Sequence, residues 1–73
     1  MANTTLINDR CNRFFDQFDG DIQQIVSVMS VDMEEYGIVD GLASKLLRLA
    51  SCPSSPIGER TNAARAAFKR IFS

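Results

Sequence analysis

Residues 21–36 read DIQQIVSVMSVDMEEY. Whether this segment forms a helix or a strand decides whether the fold is all-α or a mixture of helices and strands. On a helical wheel at about 100° per residue, its large apolar side chains gather on one face. They are Ile22, Ile25, Val26, Met29, Met33 and Tyr36. The run 25–31 is also rich in β-branched residues, which favours a strand. We predict a helix that stops at Gly37, because an isolated strand in a chain of 73 residues would have no evident partner.

A second amphipathic segment precedes it. Thr4 or Thr5 can cap a helix here, and Gly20 can end it. The apolar side chains at helical spacing are Ile7, Cys11, Phe14 and Phe18, with Phe15 at the margin of the face. The pattern predicts a helix from residue 4 or 5 to Phe18, with Cys11 as a small core residue.

Two further segments follow Gly37. The third helix is expected from about Val39 to Ser51, with a broad apolar stripe typical of a helix packed on two neighbours: Leu42, Leu46, Leu47, Leu49 and Ala50. Residues 52–56 read CPSSP and break the chain, and Ser55 before Pro56 resembles a cap with proline in the first turn. In the fourth helix we expect inward-facing Ile57, Ala64, Phe68 and Ile71, with small residues that let a neighbour approach closely: Ala63, Ala64, Ala66 and Ala67.

These four segments predict an all-α fold in one domain spanning residues 1–73. The architecture is a small four-helix bundle, with three long helices and a C-terminal helix after the Ser/Pro loop. No stretch approaches the roughly 20 apolar residues that a membrane span needs. The N-terminus has neither a basic nor an apolar signal region, so we expect a cytoplasmic protein with reduced cysteines.

The composition argues against an enzyme. The chain has no histidine and no glycine-rich phosphate loop, and it is too short for a deep pocket. Its two cysteines, Cys11 and Cys52, lie far apart in the sequence and cannot complete a metal shell without histidine. We therefore expect no catalytic residue, no cofactor and no metal.

The net charge of −1 conceals a strong asymmetry. Residues 14–42 hold seven acids and no base, whereas residues 43–73 hold six bases and one acid. Two such halves either attract each other across the bundle, the interpretation we favour, or present one pole to a charged partner.

The second helix carries the candidate protein-binding residues. Its acidic side, turned away from the apolar face, also holds two valines that have no evident core role. The set is Asp21, Val28, Val31, Asp32 and Glu35. A small apolar centre ringed by charge is typical of an interface. The alternative is that the two valines meet another helix of the bundle or are lone exposed apolar residues.

The function expected is therefore that of a small non-enzymatic protein-binding module. An adaptor or an inhibitor encoded by a phage or mobile element and acting on a host complex is one such case. The alternative is a DNA-binding regulator that uses bases of helices three and four: Lys45, Arg48, Arg65, Lys69 and Arg70. A third possibility is a homodimer that pairs its second helices.

Overall fold

The computed structural model describes residues 2–72, and their side chains from residue 6 onward. Within that range there are four α-helices and no strand: α1 Ala2–Gln17, α2 Ile22–Glu35, α3 Gly41–Ser51 and α4 Ile57–Phe72. The predicted all-α four-helix bundle is confirmed, and so is the helical conformation of residues 25–31. The radius of gyration, 11.6 Å, is close to the roughly 11 Å expected for a folded chain of this length.

The end of α2 shows how local sequence stops a helix. Gly37 has a φ of 64°, and its N–H donates to the Glu34 carbonyl at 3.3 Å, while the Ile38 N–H donates to the Met33 carbonyl at 2.9 Å. This pair of bonds is a Schellman motif, which satisfies carbonyls that the helix leaves without partners. The chain turns away at this point, so Tyr36 is 71% exposed. The prediction that Tyr36 lies on the inner face is wrong for that reason.

The two helix starts predicted from capping residues differ from the structure. Helix α1 already begins at Ala2, so Thr4 and Thr5 lie inside it and do not cap it. Helix α4 begins at Ile57, and the Pro56 carbonyl accepts the N–H of Arg60 at 3.0 Å. Proline therefore precedes the first turn by one residue instead of occupying it.

Helices α3 and α4 form an antiparallel hairpin. At one end, Arg60 Nε donates to the Ala50 carbonyl at 2.7 Å, and at the other, Arg70 Nε lies 3.1 Å from Asp40 Oδ2. Helix α4 also packs against α1 and α2. Of the four small residues predicted to let a neighbouring helix approach, Ala63, Ala64 and Ala67 are buried and Ala66 is half-buried.

One core is shared by all four helices. Its largest fully buried side chains are Ile25, Met29 and Cys11. Phe15 is buried too, although the sequence placed it at the margin of the α1 face. The reason is that α1 packs chiefly on α4, and the Arg65 guanidinium of α4 lies over the Phe15 ring.

Besides Tyr36, three apolar residues predicted to face inward are exposed. Leu42 and Leu49 of α3 face solvent, and Ile57 in the first turn of α4 is 63% exposed. Only one side of α3 meets neighbouring helices, through Ala43, Leu47 and Ala50, so the broad stripe of leucines is covered only in part. Among the described residues, no helix is both long and apolar enough to cross a bilayer.

Candidate functional site

The predicted protein-binding residues lie along one side of α2, which we call the α2 surface: Asp21, Val28, Val31, Asp32 and Glu35. Val31 is 53% exposed, and Val28 and Asp32 are half-buried beside it. Neither valine belongs to the core, so both remain available at the surface. This is the arrangement expected if the two valines have no packing role inside the bundle.

Val28 and Val31 line a shallow cavity of about 220 Å³ together with Ser27 and Asp32. The cavity wall is almost entirely apolar, and Asp32 is the one charged residue that lines it. An apolar depression with a charged rim is suited to a single apolar side chain from another molecule.

Asp21, at the N-terminal end of the α2 surface, has a structural role. It is the N-cap of α2, and its Oδ1 accepts the Gln24 N–H at 3.3 Å. An aspartate in this position satisfies a helix donor and favours the helix dipole. Glu35, at the other end, is exposed and makes no ion pair with any described side chain. The free acidic charge of the surface therefore comes chiefly from Asp32 and Glu35.

A second cavity, of about 280 Å³, adjoins the first and shares Asp32 with it. Three phenylalanines line it, one from α1 and two from α4: Phe14, Phe68 and Phe72. Its α1 side also presents Arg10, Arg13 and Gln17. We call this space the aromatic cavity.

Sequence reasoning missed the aromatic cavity. The sequence predicts Phe14 and Phe68 on inward faces and gives Phe72 no role, whereas Phe14 and Phe72 are both half-buried and line this cavity. Arg10 lies one turn before Phe14 on α1 and Arg13 directly precedes Phe14, and a helical wheel places Arg10 at the edge of the apolar face and Arg13 farther round. The position of these two arginines next to Phe14 is the sequence feature that could have indicated a binding site here. What it could not show is that α2 and α4 leave a gap next to α1.

The basic residues of the alternative function are not gathered on one free surface. Arg65 Nη1 donates to Asn12 Oδ1 at 2.8 Å, and its guanidinium carbon lies 5.1 Å from the Phe15 ring centroid. Arg70 is paired with Asp40. These two arginines therefore hold helices together within the bundle. The other three are exposed: Lys45 and Arg48 on α3, and Lys69 on α4.

The two thiols lie in contrasting environments. Cys11 is buried, and desolvation raises the pKa of its thiol against the smaller opposing effect of Arg65. Cys52 is half-buried at the end of α3, and hydrogen bonds from the Ser54 hydroxyl and backbone lower its pKa to about 7. Its Sγ lies 3.3 Å from Ser54 Oγ. Among the described residues, no group of three or more acids or cysteines is placed to hold a metal ion.

The geometry thus shows two cavities that share Asp32, the one acid of α2 that lines them, while Arg10 and Arg13 of α1 line the aromatic cavity. No protein-family model, curated protein sequence or solved structure matches this chain.

Proposed function

We propose that this protein is a non-enzymatic binding module that attaches to another protein through the α2 surface. The observation that carries the proposal is the pair Val28 and Val31, which line an apolar cavity beside the Asp32 carboxylate and take no part in the core. An adaptor or an inhibitor works by such contact alone. A small phage or mobile-element protein that blocks a host complex would be one example.

The charge of the α2 surface defines the partner. Asp32 lines the apolar cavity, Glu35 follows one turn after Val31 on the same helix, and no base on α2 offsets these two acids. A partner with a small apolar side chain and adjacent lysine or arginine residues complements this arrangement in shape and charge. Such charges act mainly on the association rate and on specificity, while the apolar contact supplies most of the affinity.

The same surface is less suited to a symmetric homodimer. Across a two-fold axis, Asp32 and Glu35 of one copy would meet the same acids of the other. Of the α4 bases that could offset that repulsion, Arg65 and Arg70 already contact Asn12 and Asp40 within the chain, and Lys69 is exposed. Light scattering at two protein concentrations is expected to give the mass of one chain, 8.1 kDa, at both.

The test is affinity capture from a nuclease-treated lysate with three baits. The wild-type chain is compared with Val31→Asp, which places a charge in the apolar cavity, and with the control Val39→Asp. Val39 is 98% exposed in the loop before α3, so the control makes the same chemical change away from the α2 surface. We expect a stoichiometric protein partner that the wild type and Val39→Asp retain and Val31→Asp loses. Circular dichroism should be the same for all three chains.

Two results would contradict the proposal. Capture that survives Val31→Asp would mean that the α2 surface is not the contact. Capture that disappears on nuclease treatment would instead favour the DNA-binding alternative with its exposed bases Lys45, Arg48 and Lys69. In that case, affinity should fall steeply with added salt, since phosphate contacts release counterions.

A further inference from the structure

We propose that the aromatic cavity is a second recognition site, which takes an aromatic side chain carried beside a carboxylate in a protein partner. This inference rests on the proposed function and extends it. Asp32 lines both cavities, so a partner bound at the α2 surface would also reach the aromatic cavity. It adds the chemistry of the segment that the partner would insert.

The size and walls of the cavity favour one aromatic ring. Its volume of about 280 Å³ is just below the roughly 300 Å³ at which sites for whole small molecules begin. The Phe14 and Phe68 centroids are 5.2 Å apart, and those of Phe68 and Phe72 are 4.7 Å apart. The half-buried rings Phe14 and Phe72 present faces and edges against which a further ring packs favourably.

The α1 wall supplies positive charge for a carboxylate. Arg13 is exposed and makes no hydrogen bond or ion pair with any described side chain. Arg10 makes one long hydrogen bond, from Nη1 to the Phe72 carbonyl at 3.4 Å, which leaves its other N–H groups available. Guanidinium groups bind carboxylates through two parallel hydrogen bonds, which adds a geometric requirement to the attraction of opposite charges.

The opposite wall carries a single acid. Asp32 lines the cavity together with Arg10 and Arg13 but forms an ion pair with neither. Two guanidinium groups against one carboxylate leave the cavity positive overall. The anionic end of a bound side chain is therefore expected on the α1 side, away from Asp32.

The experiment uses small probes that carry the two proposed features. 3-Phenylpropionate is titrated into the ¹⁵N-labelled protein while amide shifts are followed by NMR. Two further probes remove one feature each: propionate lacks the ring, and 3-phenylpropylamine replaces the carboxylate with a cation. We expect 3-phenylpropionate to shift the amides of Arg13, Gln17 and Phe72, and to bind about tenfold more tightly than either comparison probe.

Substitutions then test which side chains bind 3-phenylpropionate. Arg13→Gln should weaken 3-phenylpropionate binding by about tenfold, the effect of one charge-assisted hydrogen bond. Arg48→Gln removes the same charge from an exposed site on α3 and should leave binding unchanged. Asp32→Asn should tighten binding, because it removes the one negative charge of the cavity.

Three outcomes would overturn the proposal. Equal or tighter binding of 3-phenylpropylamine would show a site for cations. Inorganic phosphate that shifts the same amides as strongly as 3-phenylpropionate would show an anion site with no aromatic recognition. If Arg13→Gln leaves the affinity for 3-phenylpropionate unchanged, the Arg13 guanidinium does not bind the probe. The probes need no partner protein, so a failure here is distinct from a failure of the α2 surface, which only the capture experiment detects.

Discussion

Arg70 and Asp40 tie the end of α4 to the start of α3. Arg70 Nε lies 3.1 Å from Asp40 Oδ2, while Asp40 Oδ1 accepts the N–H groups of Leu42 and Ala43, each at 3.1 Å. One carboxylate therefore caps α3 and closes the open end of the hairpin. The hydrogen bond from Ala43 and then that from Arg70 hold the pKa of Asp40 below its ordinary value of 3.8.

This lowered pKa predicts a loss of stability in acid. A carboxylate whose pKa is lower in the folded chain stabilises it above the unfolded pKa, and this contribution is lost as the pH falls through the folded pKa. We expect the Tm of the wild type to decline below a pH of 3.8. Asp40→Asn retains a capping side chain but has no charge to titrate, so its decline should be shallower. Melting curves by circular dichroism between about pH 5 and pH 2 measure both slopes, and equal slopes would contradict the assignment.

Arg65 should stabilise the contact between α4 and α1. Its hydrogen bond to Asn12 and its position over the Phe15 ring each contribute on the order of 1 kcal/mol at partly exposed sites. Arg65→Ala is therefore expected to lower the free energy of unfolding by about 1–2 kcal/mol in urea titrations. Lys69→Ala, one turn away and exposed, should change it by less than about 0.5 kcal/mol. Similar losses for both variants would mean that Arg65 is only a solvated surface charge.

Met29 is the core position that we would test first. Its side chain is fully buried at the centre of α2, so Met29→Ala should cost about 2–5 kcal/mol through lost burial and the cavity left behind. A chain of this length has a total stability of roughly 4–11 kcal/mol, so the variant loses much of it. Ser30→Ala, exposed on the neighbouring position, serves as the control in urea denaturation. A loss below about 1 kcal/mol for Met29→Ala would contradict the described core.

The two thiols should differ in reactivity. Hydrogen bonds from Ser54 lower the pKa of Cys52 to about 7, so alkylation by iodoacetamide should rise with a midpoint near that pH. Cys11, buried and with its pKa raised, should react only when the chain unfolds. Ser54→Ala should move the Cys52 midpoint to higher pH. Mass spectrometry of alkylated peptides follows both sites, and modification of Cys11 at the rate of Cys52 would contradict its burial.

The helical elements could be predicted from local patterns. Periodic apolar residues in α2, the Gly37 stop and the break at residues 52–56 depend on interactions within a few residues of each other. Predictions about exposure were less accurate where they depended on neighbours. The leucines of α3 all qualify for a core by hydrophobicity, yet Leu42 and Leu49 are exposed because α2 and α4 cover only one side of that helix.

One part of the candidate site could be predicted from the sequence and the other part could not. The wheel placed Val28, Val31 and Asp32 on one side of α2 because side-chain direction along a helix is a local property. The aromatic cavity was not predictable, since it requires Arg13 of α1, Asp32 of α2 and Phe72 of α4 to lie around one space. Wheels of separate helices carry no information about the gap between them.

The periodic apolar residues of the sequence were enough to predict the number of helices and their approximate limits, because that periodicity is set within single turns. Which bases remain free depends on how the helices pack against each other. Arg65 and Arg70 are engaged by Asn12 and Asp40, which lie 53 and 30 residues away along the chain, whereas Arg13 has no such partner among the described side chains. Pairing across the bundle depends on how helices pack, and a linear pattern of charge does not contain that arrangement.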